Sequence, residues 1–365
     1  VSLTSRREGA AHVKIRYWRS KRSSVLVGLA GLIIGVSVGA GVAVYASGSS
    51  SLVSGGELTV NAWYTNNYST GAGPKGVLFD GTNVWVANST GSSVTKIKAA
   101  TGKTVGTYAL PANSGPVALA FDGTNIWTAN STGNSVSKLL ASSGALIGTY
   151  ALQPYGNSPA GIVYDGTSIW VVPGFSNNLF KIRPSTGAID ASYEGILYPS
   201  CSPDGLAFDG ADVLVSCSIQ SFIEKIPVAD PFGQFSLIAV SGFPRTVSFD
   251  GTYAWTVNYE GYVQKIDVRT RTVVESYALP AGTSAVAFAF DQPGSSASSS
   301  RPIDPHTYMW TANSGSGSVS KIDATTGGVV GTYTVGGQPS GITFDGTNIW
   351  VTNYASNSVT VLQAR

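Results

Sequence analysis

Lys75, Asp204 and Arg245 hold equivalent positions in a recurring pattern, each directly after a proline that stands five residues ahead of an aromatic. The matching prolines are Pro74, Pro116, Pro159, Pro203, Pro244 and Pro339. Elsewhere the same position is Val117, Ala160 or Ser340, and the one copy without the proline has Val286. Two cations and a carboxylate among small or apolar residues suit the binding of an anion or carboxylate, because ammonium and guanidinium groups form charge-assisted hydrogen bonds. The bland alternative is a partly solvated charge cluster. The pattern is least regular in its third and fourth copies. There Pro173-Gly174-Phe175 replaces an Asn-centred turn, and Tyr155, Phe175, Tyr198 and Phe222 add aromatics. Together with Lys75, Asp204 and Arg245 these form the candidate site for a small molecule or glycan.

Other chemistries find little support. Cys201 and Cys217 are the only cysteines, and an even count in an exported domain predicts a disulfide. Two thiols alone do not complete a zinc site. His12 and His306 are the only histidines, so neither a multi-histidine metal site nor a Ser-His-Asp arrangement is expected. Asp204, Asp209 and Asp212 are close in sequence, but Asp209 belongs to a repeated turn at the far end of its strand, so the three should not converge on calcium. No catalytic residue, metal-ligand set or cofactor motif emerges. Asn67-Tyr68-Ser69, Asn88-Ser89-Thr90 and Asn130-Ser131-Thr132 fit the N-glycosylation pattern, in a chain rich enough in these residues for chance matches.

The elements that must position the candidate residues are written in self-similarity. FDGTNVWVAN begins at Phe79, and related strings begin at Phe121, Tyr164, Phe208, Phe249, Phe290 and Phe344. The interval is 41 to 44 residues except before the last copy, where the low-complexity stretch QPGSSASSSRPIDPHTY stretches it to 54. Each copy divides into four short strands, a to d, with Asp-Gly turning a into b and Thr-Gly turning c into d. Four strands in about 42 residues, repeated without helices, predict the blades of an all-β, seven-bladed β-propeller. The last copy supplies only strands a, b and c, so its outer strand should come from residues 57–64 and close the ring. The repeated Trp85, Trp127, Trp170, Trp255, Trp310 and Trp350 read as packing between blades. Asn88, Asn130, Asn258, Asn313 and Asn353 read as caps of the b–c turn. Lys96, Lys138, Lys181, Lys225, Lys265 and Lys321 read as blade-edge or surface residues with buried stems.

The segment WVTNYASNSVTVL, Trp350 to Leu362, resembles the YVTN-type propeller repeat of surface and secreted proteins, and the pattern is similar to streptogramin-lyase-like and NHL propellers. The resemblance covers residues 57–365. It implies a propeller whose d–a and b–c loops share the top face, where most ligands of such discs bind. Streptogramin lyases are expected to use a Glu and histidines, which this chain does not match: His306 would lie in an a–b insertion, on the opposite face. Propellers host many activities, so the resemblance speaks to fold more than to function.

Ahead of the repeats, residues 1–24 carry seven of the 22 basic residues and one of the 20 acids. The remainder therefore holds 15 basic against 19 acidic residues, a net charge of −4, which leaves no electrostatic footprint for nucleic acid. Residues 25–45 form an uncharged apolar run long enough to cross a bilayer as a helix of about 30 Å. The basic flank keeps the N-terminus inside and exports the rest. Cleavage after Ala46 would instead give a secreted protein. Residues 46–56 read as a flexible stalk. The expectation is a non-enzymatic module at the cell surface, held to the membrane by its N-terminal helix, with a surface protein or glycan as partner and no cofactor. The alternatives are an exported lyase-like or lactonase-like propeller enzyme and a structural surface-layer subunit.

Overall fold

The computed structural model describes residues 25–29, 32–36, 66–153, 157–194, 197, 201–231, 235–291 and 308–364. The chain divides into two units, Val1–Tyr64 and Thr65–Arg365. In the first, Val25–Leu29 pairs antiparallel with Leu32–Val36, where the sequence predicts a helix. Val and Ile favour extended backbone, and Gly disfavours helix, wherever a bilayer does not impose one. No helix among the described residues is long and apolar enough to cross a membrane.

The second unit is a seven-bladed propeller of four-stranded antiparallel sheets. The first blade runs Pro74–Phe79, Asn83–Asn88, Ser93–Lys98 and Lys103–Ala109 from the centre outward. The seventh has Pro339–Phe344, Asn348–Asn353 and Ser358–Gln363, and its outer strand is Asn66–Ser69. The ring is thus closed by three strands from one end and one from the other. Residues 57–64, where the sequence places the closing strand, lie outside the described residues. The innermost strands of successive blades touch, and the seventh meets the first.

One device accounts for most of the repeat. In the second blade Asp122 Oδ1 accepts the amides of Thr124 and Asn125 at 2.9 and 2.6 Å, which fixes the a–b turn. Its other oxygen accepts the indole N–H of Trp127 at 2.8 Å. The carboxylate thereby clasps a tryptophan that is fully buried. The same bond joins Asp80 to Trp85, Asp165 to Trp170, Asp250 to Trp255, Asp291 to Trp310 and Asp345 to Trp350. Burial opposes ionisation of Asp122 and Asp165, but the indole and amide donors outweigh it and hold both carboxyls below the usual range.

A tyrosine from the outer strand completes the unit. Tyr108, Tyr150, Tyr193, Tyr277 and Tyr333 lie against Trp85, Trp127, Trp170, Trp255 and Trp310, and Tyr68 of the closing strand stacks on Trp350 at 5.9 Å. Tyr68, Tyr108, Tyr150 and Tyr277 also reach a glycine turn of the next blade. A Cβ on Gly144, which has φ +78°, would meet the Tyr108 ring at 2.1 Å, and one on Gly102 would strike Tyr68. Glycine is required there twice over, for backbone conformation and for space.

Three of the six recurrent lysines are not surface residues, while Lys181, Lys225 and Lys265 are half-buried. Lys96, Lys138 and Lys321 are buried, head included. Lys96 Nζ donates to Ala141 O at 2.6 Å and Lys138 Nζ to Pro184 O at 2.5 Å, each in the following blade. Their ammonium groups also lie 5.0 and 5.3 Å from the rings of Trp85 and Trp127. The carbonyl and the aromatic face replace water around the charge, which is why it is tolerated inside. Blade four departs from the scheme. Leu214 stands in the Trp position, and Lys225 turns instead to Asp209 and Asp212 at 2.7 and 2.5 Å. Burial works against the Lys225 charge, yet the two carboxylates raise its pKa above the ordinary value.

Candidate binding face

Six of the seven inner strands begin with the pattern's proline, and between that proline and the residues two or three further on the pairing with strand b shifts register. Just above, a second repeated contact builds the top rim. The first residue of each b–c loop donates its amide to the carbonyl just before the inner strand, as in Ser131 to Gly115, Ser218 to Ser202 and Tyr259 to Phe243. That residue is left-handed at Gly115, Ser158, Ser202, Ser284 and Gln338. The d–a and b–c loops are therefore one rim around a central channel of about 1400 Å³.

Lys75, Val117, Ala160, Asp204, Arg245, Val286 and Ser340 all line this channel, as the proline spacing implies. The Arg245 guanidinium lies 3.9 Å above the centre of the Tyr259 ring, and its Nη1 makes one long bond, 3.5 Å, to Ala285 O. Lys75 Nζ is 5.8 Å from the Tyr354 ring. Among the described residues, most donors of both cations are thus unspent on protein acceptors. Asp204 stays in contact with solvent but is ringed by channel wall. That crowding raises its pKa, while Arg245 and then Lys75 act in the opposite direction.

The other candidate residues divide. Phe175, 78% exposed, lines the top of the channel. Phe222 does not: it opens strand c of the fourth blade and packs, half-buried, on the core between blades three and four. Tyr155 and Tyr198 lie outside the described residues. Cys201 and Cys217 form a disulfide with Cα atoms 4.5 Å apart, tying the rim ahead of Asp204 to the end of strand b. Glu224 lies close to both sulfurs, but these are bonded to each other and offer no thiolate to a metal. Two of the three glycosylation matches fail on burial, since Asn88 and Asn130 are fully inaccessible. Rather than capping a turn, each donates its amide across to two hydroxyls of strand c: Asn88 to Ser93 and Thr95, Asn130 to Ser135 and Ser137.

Three residues that the sequence reading passed over join Phe175 on this face. Ile219 is 54% exposed, Tyr259 52% and Phe243 44%. At the second position of the b–c loop, blades one, two, six and seven have Thr90, Thr132, Gly315 and Ala355, whereas blades three and four have Phe175 and Ile219. Ahead of the inner-strand proline the other blades have Gly, Ser or Gln, and blade five has Phe243. The departures cluster in blades three to five, beside Asp204 and Arg245. Comparing aligned loop positions between copies would have found them.

No known family profile and no curated protein matches this chain. Among solved structures it is similar to virginiamycin B lyase from Staphylococcus aureus, at 18% identity over 83% of this chain and 100% of that one, with TM-score 0.68. A histidine-to-alanine form of that lyase, described as catalytically inactive and with quinupristin, gives TM-score 0.67 at 18% identity, over 83% of this chain and 100% of that one. Kuenenia stuttgartiensis hydrazine synthase matches at 19% identity over 80% of this chain and 96% of that one, with TM-score 0.65. At such identities the likeness shows the fold alone: the chain is a seven-bladed propeller, similar in fold to streptogramin B lyases.

Proposed function

We propose that this protein is an exported, membrane-anchored binding module that takes a partner on the top face of its propeller and catalyses no reaction. One observation carries the reading. A structure that repeats itself around a ring departs from the repeat in one sector, and there it gathers exposed apolar side chains beside charges with unspent donors. Unique recognition needs such a departure, because residues that recur in every blade serve the blade. A single carboxylate between two cations is poorly suited to general acid–base work, which needs a positioned proton donor or acceptor of matched pKa. Export accords with the disulfide, which persists in oxidising compartments. Anchoring would fall to the apolar run 25–45, with the basic segment 1–24 retained inside.

The test is cross-linking of intact cells that express the full chain, followed by mass spectrometry. Cross-links from the loops of blades three to five to a second surface component are the expected result. Cross-links chiefly between copies would favour a surface array, and none at all from folded, exported protein would overturn the reading. The fold likeness favours one rival, an exported lyase. Steady loss of quinupristin in the presence of the purified protein, followed by mass spectrometry, would establish it in place of a binding module.

A further inference from the structure

Phe175, Ile219, Phe243 and Tyr259 bring large apolar side chains to one sector of the top rim. Phe243 and Tyr259 are held together by the bond from the Tyr259 amide to Phe243 O, at 3.1 Å. The Phe243 amide donates in turn to Glu260 at 3.0 Å, so this part of the sector is braced. Exposed large apolar side chains on one stretch of rim next to arginine and tyrosine have the composition of a protein-docking centre, in which aromatics and Arg supply most of the energy. Bare hydrocarbon such as Ile219 has no role in holding a sugar hydroxyl, which favours a polypeptide over a glycan.

The charges select the partner's sign. Arg245 has the Tyr259 face on one side and a single long bond to Ala285 O. Lys75 lines the same channel and, among the described residues, has no partner beyond the Tyr354 ring. Of the two carboxylates nearby, Glu260 already accepts the Phe243 amide, and only Asp204 shares the channel lining with the two cations; a fork-shaped guanidinium pre-set on an aromatic ring matches an incoming carboxylate in two bonds. Building on the binding-module reading, we infer that the face recognises an acidic peptide segment whose apolar residues seat on Phe175, Ile219, Phe243 and Tyr259 while a carboxylate engages Arg245 and Lys75 over the channel.

The test uses the full chain and four fluorescein-labelled, capped probes read by anisotropy. They are a hexapeptide alternating Phe and Glu, the same peptide with Lys for Glu, the same with Ser for Phe, and a hyaluronan tetrasaccharide. The Phe/Glu peptide should bind best, and either replacement should cost at least about tenfold, the scale of one lost charge-assisted contact. Arg245→Gln and Lys75→Gln should each weaken that binding by about tenfold, Arg245→Lys by less than Arg245→Gln, and Lys103→Gln on the outer strand not at all. Thermal midpoints equal to wild type would show that the variants fold. Equal or tighter binding of the Lys peptide, equal binding of the tetrasaccharide, or indifference to Arg245→Gln overturns the inference. If cross-linking on cells still maps a partner to blades three to five, only the peptide chemistry falls. If it maps none, the binding-module reading falls as well.

Discussion

Replacing Asp122 by Asn removes a charge and little volume, which makes it a clean test of the clasp that organises every blade but the fourth. In the native turn one oxygen takes two backbone amides and the other takes the indole N–H of Trp127. Asparagine has one oxygen. If it serves the turn, its NH2 faces the indole N–H and both donors are orphaned beside a fully buried ring. If it serves the indole, the turn loses its amide acceptor. One buried donor left unmade costs about 1–3 kcal/mol, so a loss of about 2–3 kcal/mol is expected by urea denaturation monitored through fluorescence. Trp127→Phe removes the indole donor, so in that background the Asp122→Asn penalty should shrink by about 2 kcal/mol in a double-mutant cycle. The pH dependence has a definite sign. The folded-state pKa values of Asp122 and Asp165 are depressed, so their contribution is present above the unfolded carboxylate range near 4 and is lost as pH falls through the lower folded values. A penalty below about 0.5 kcal/mol, or one unchanged in the Trp127→Phe background, would refute the clasp as a source of stability.

Three further perturbations probe other joints of the ring. Cys201→Ser with Cys217→Ser opens a loop of 16 residues and should lower stability by about 3 kcal/mol, with reductant lowering the wild-type urea midpoint in the same direction. Tyr68→Ala deletes the stack on Trp350 and the contact with the Gly102 turn, and should cost about 2–3 kcal/mol, comparable to Tyr108→Ala inside the chain; a much smaller loss would mean the closing strand carries little load. Gly144→Ala puts a Cβ into the Tyr108 ring at a positive φ and should lower the thermal midpoint more than Gly123→Ala, where a Cβ meets nothing within 4 Å.

The blades were legible because their constraint is local and repeated. Asp-Gly turns, a tryptophan five residues after the aspartate and a fixed period leave few other folds. The charged ring was legible for the same reason, since a proline marks the start of nearly every inner strand. The closing strand was read too early, although its signal was present: Asn67-Tyr68 is the counterpart of the Thr-Tyr pair in other outer strands, and Thr360 donates to Asn67 as a strand-c hydroxyl meets Thr107 or Thr149 elsewhere. The lysine heads escaped because their acceptors, such as Pro184 O for Lys138, belong to the next blade about 46 residues away. Phe222 was read as a top-loop aromatic, but it opens strand c of the fourth blade and packs on the core between blades three and four. The apolar sector emerged only when Ile219, Phe243 and Tyr259 were placed on one rim by the amide bonds that join the two loops.

A photoreactive side chain placed at Ile219 in the full chain, with a second copy of the experiment placing it at Val105 on the outer rim, tests most directly whether this protein works by binding on that sector. On intact cells the probe at position 219 should capture one defined protein, the capture should be lost with Arg245→Gln, and the probe at position 105 should not capture it. Equal capture from both positions, or capture indifferent to Arg245, would contradict a partner held on the top face of blades three to five.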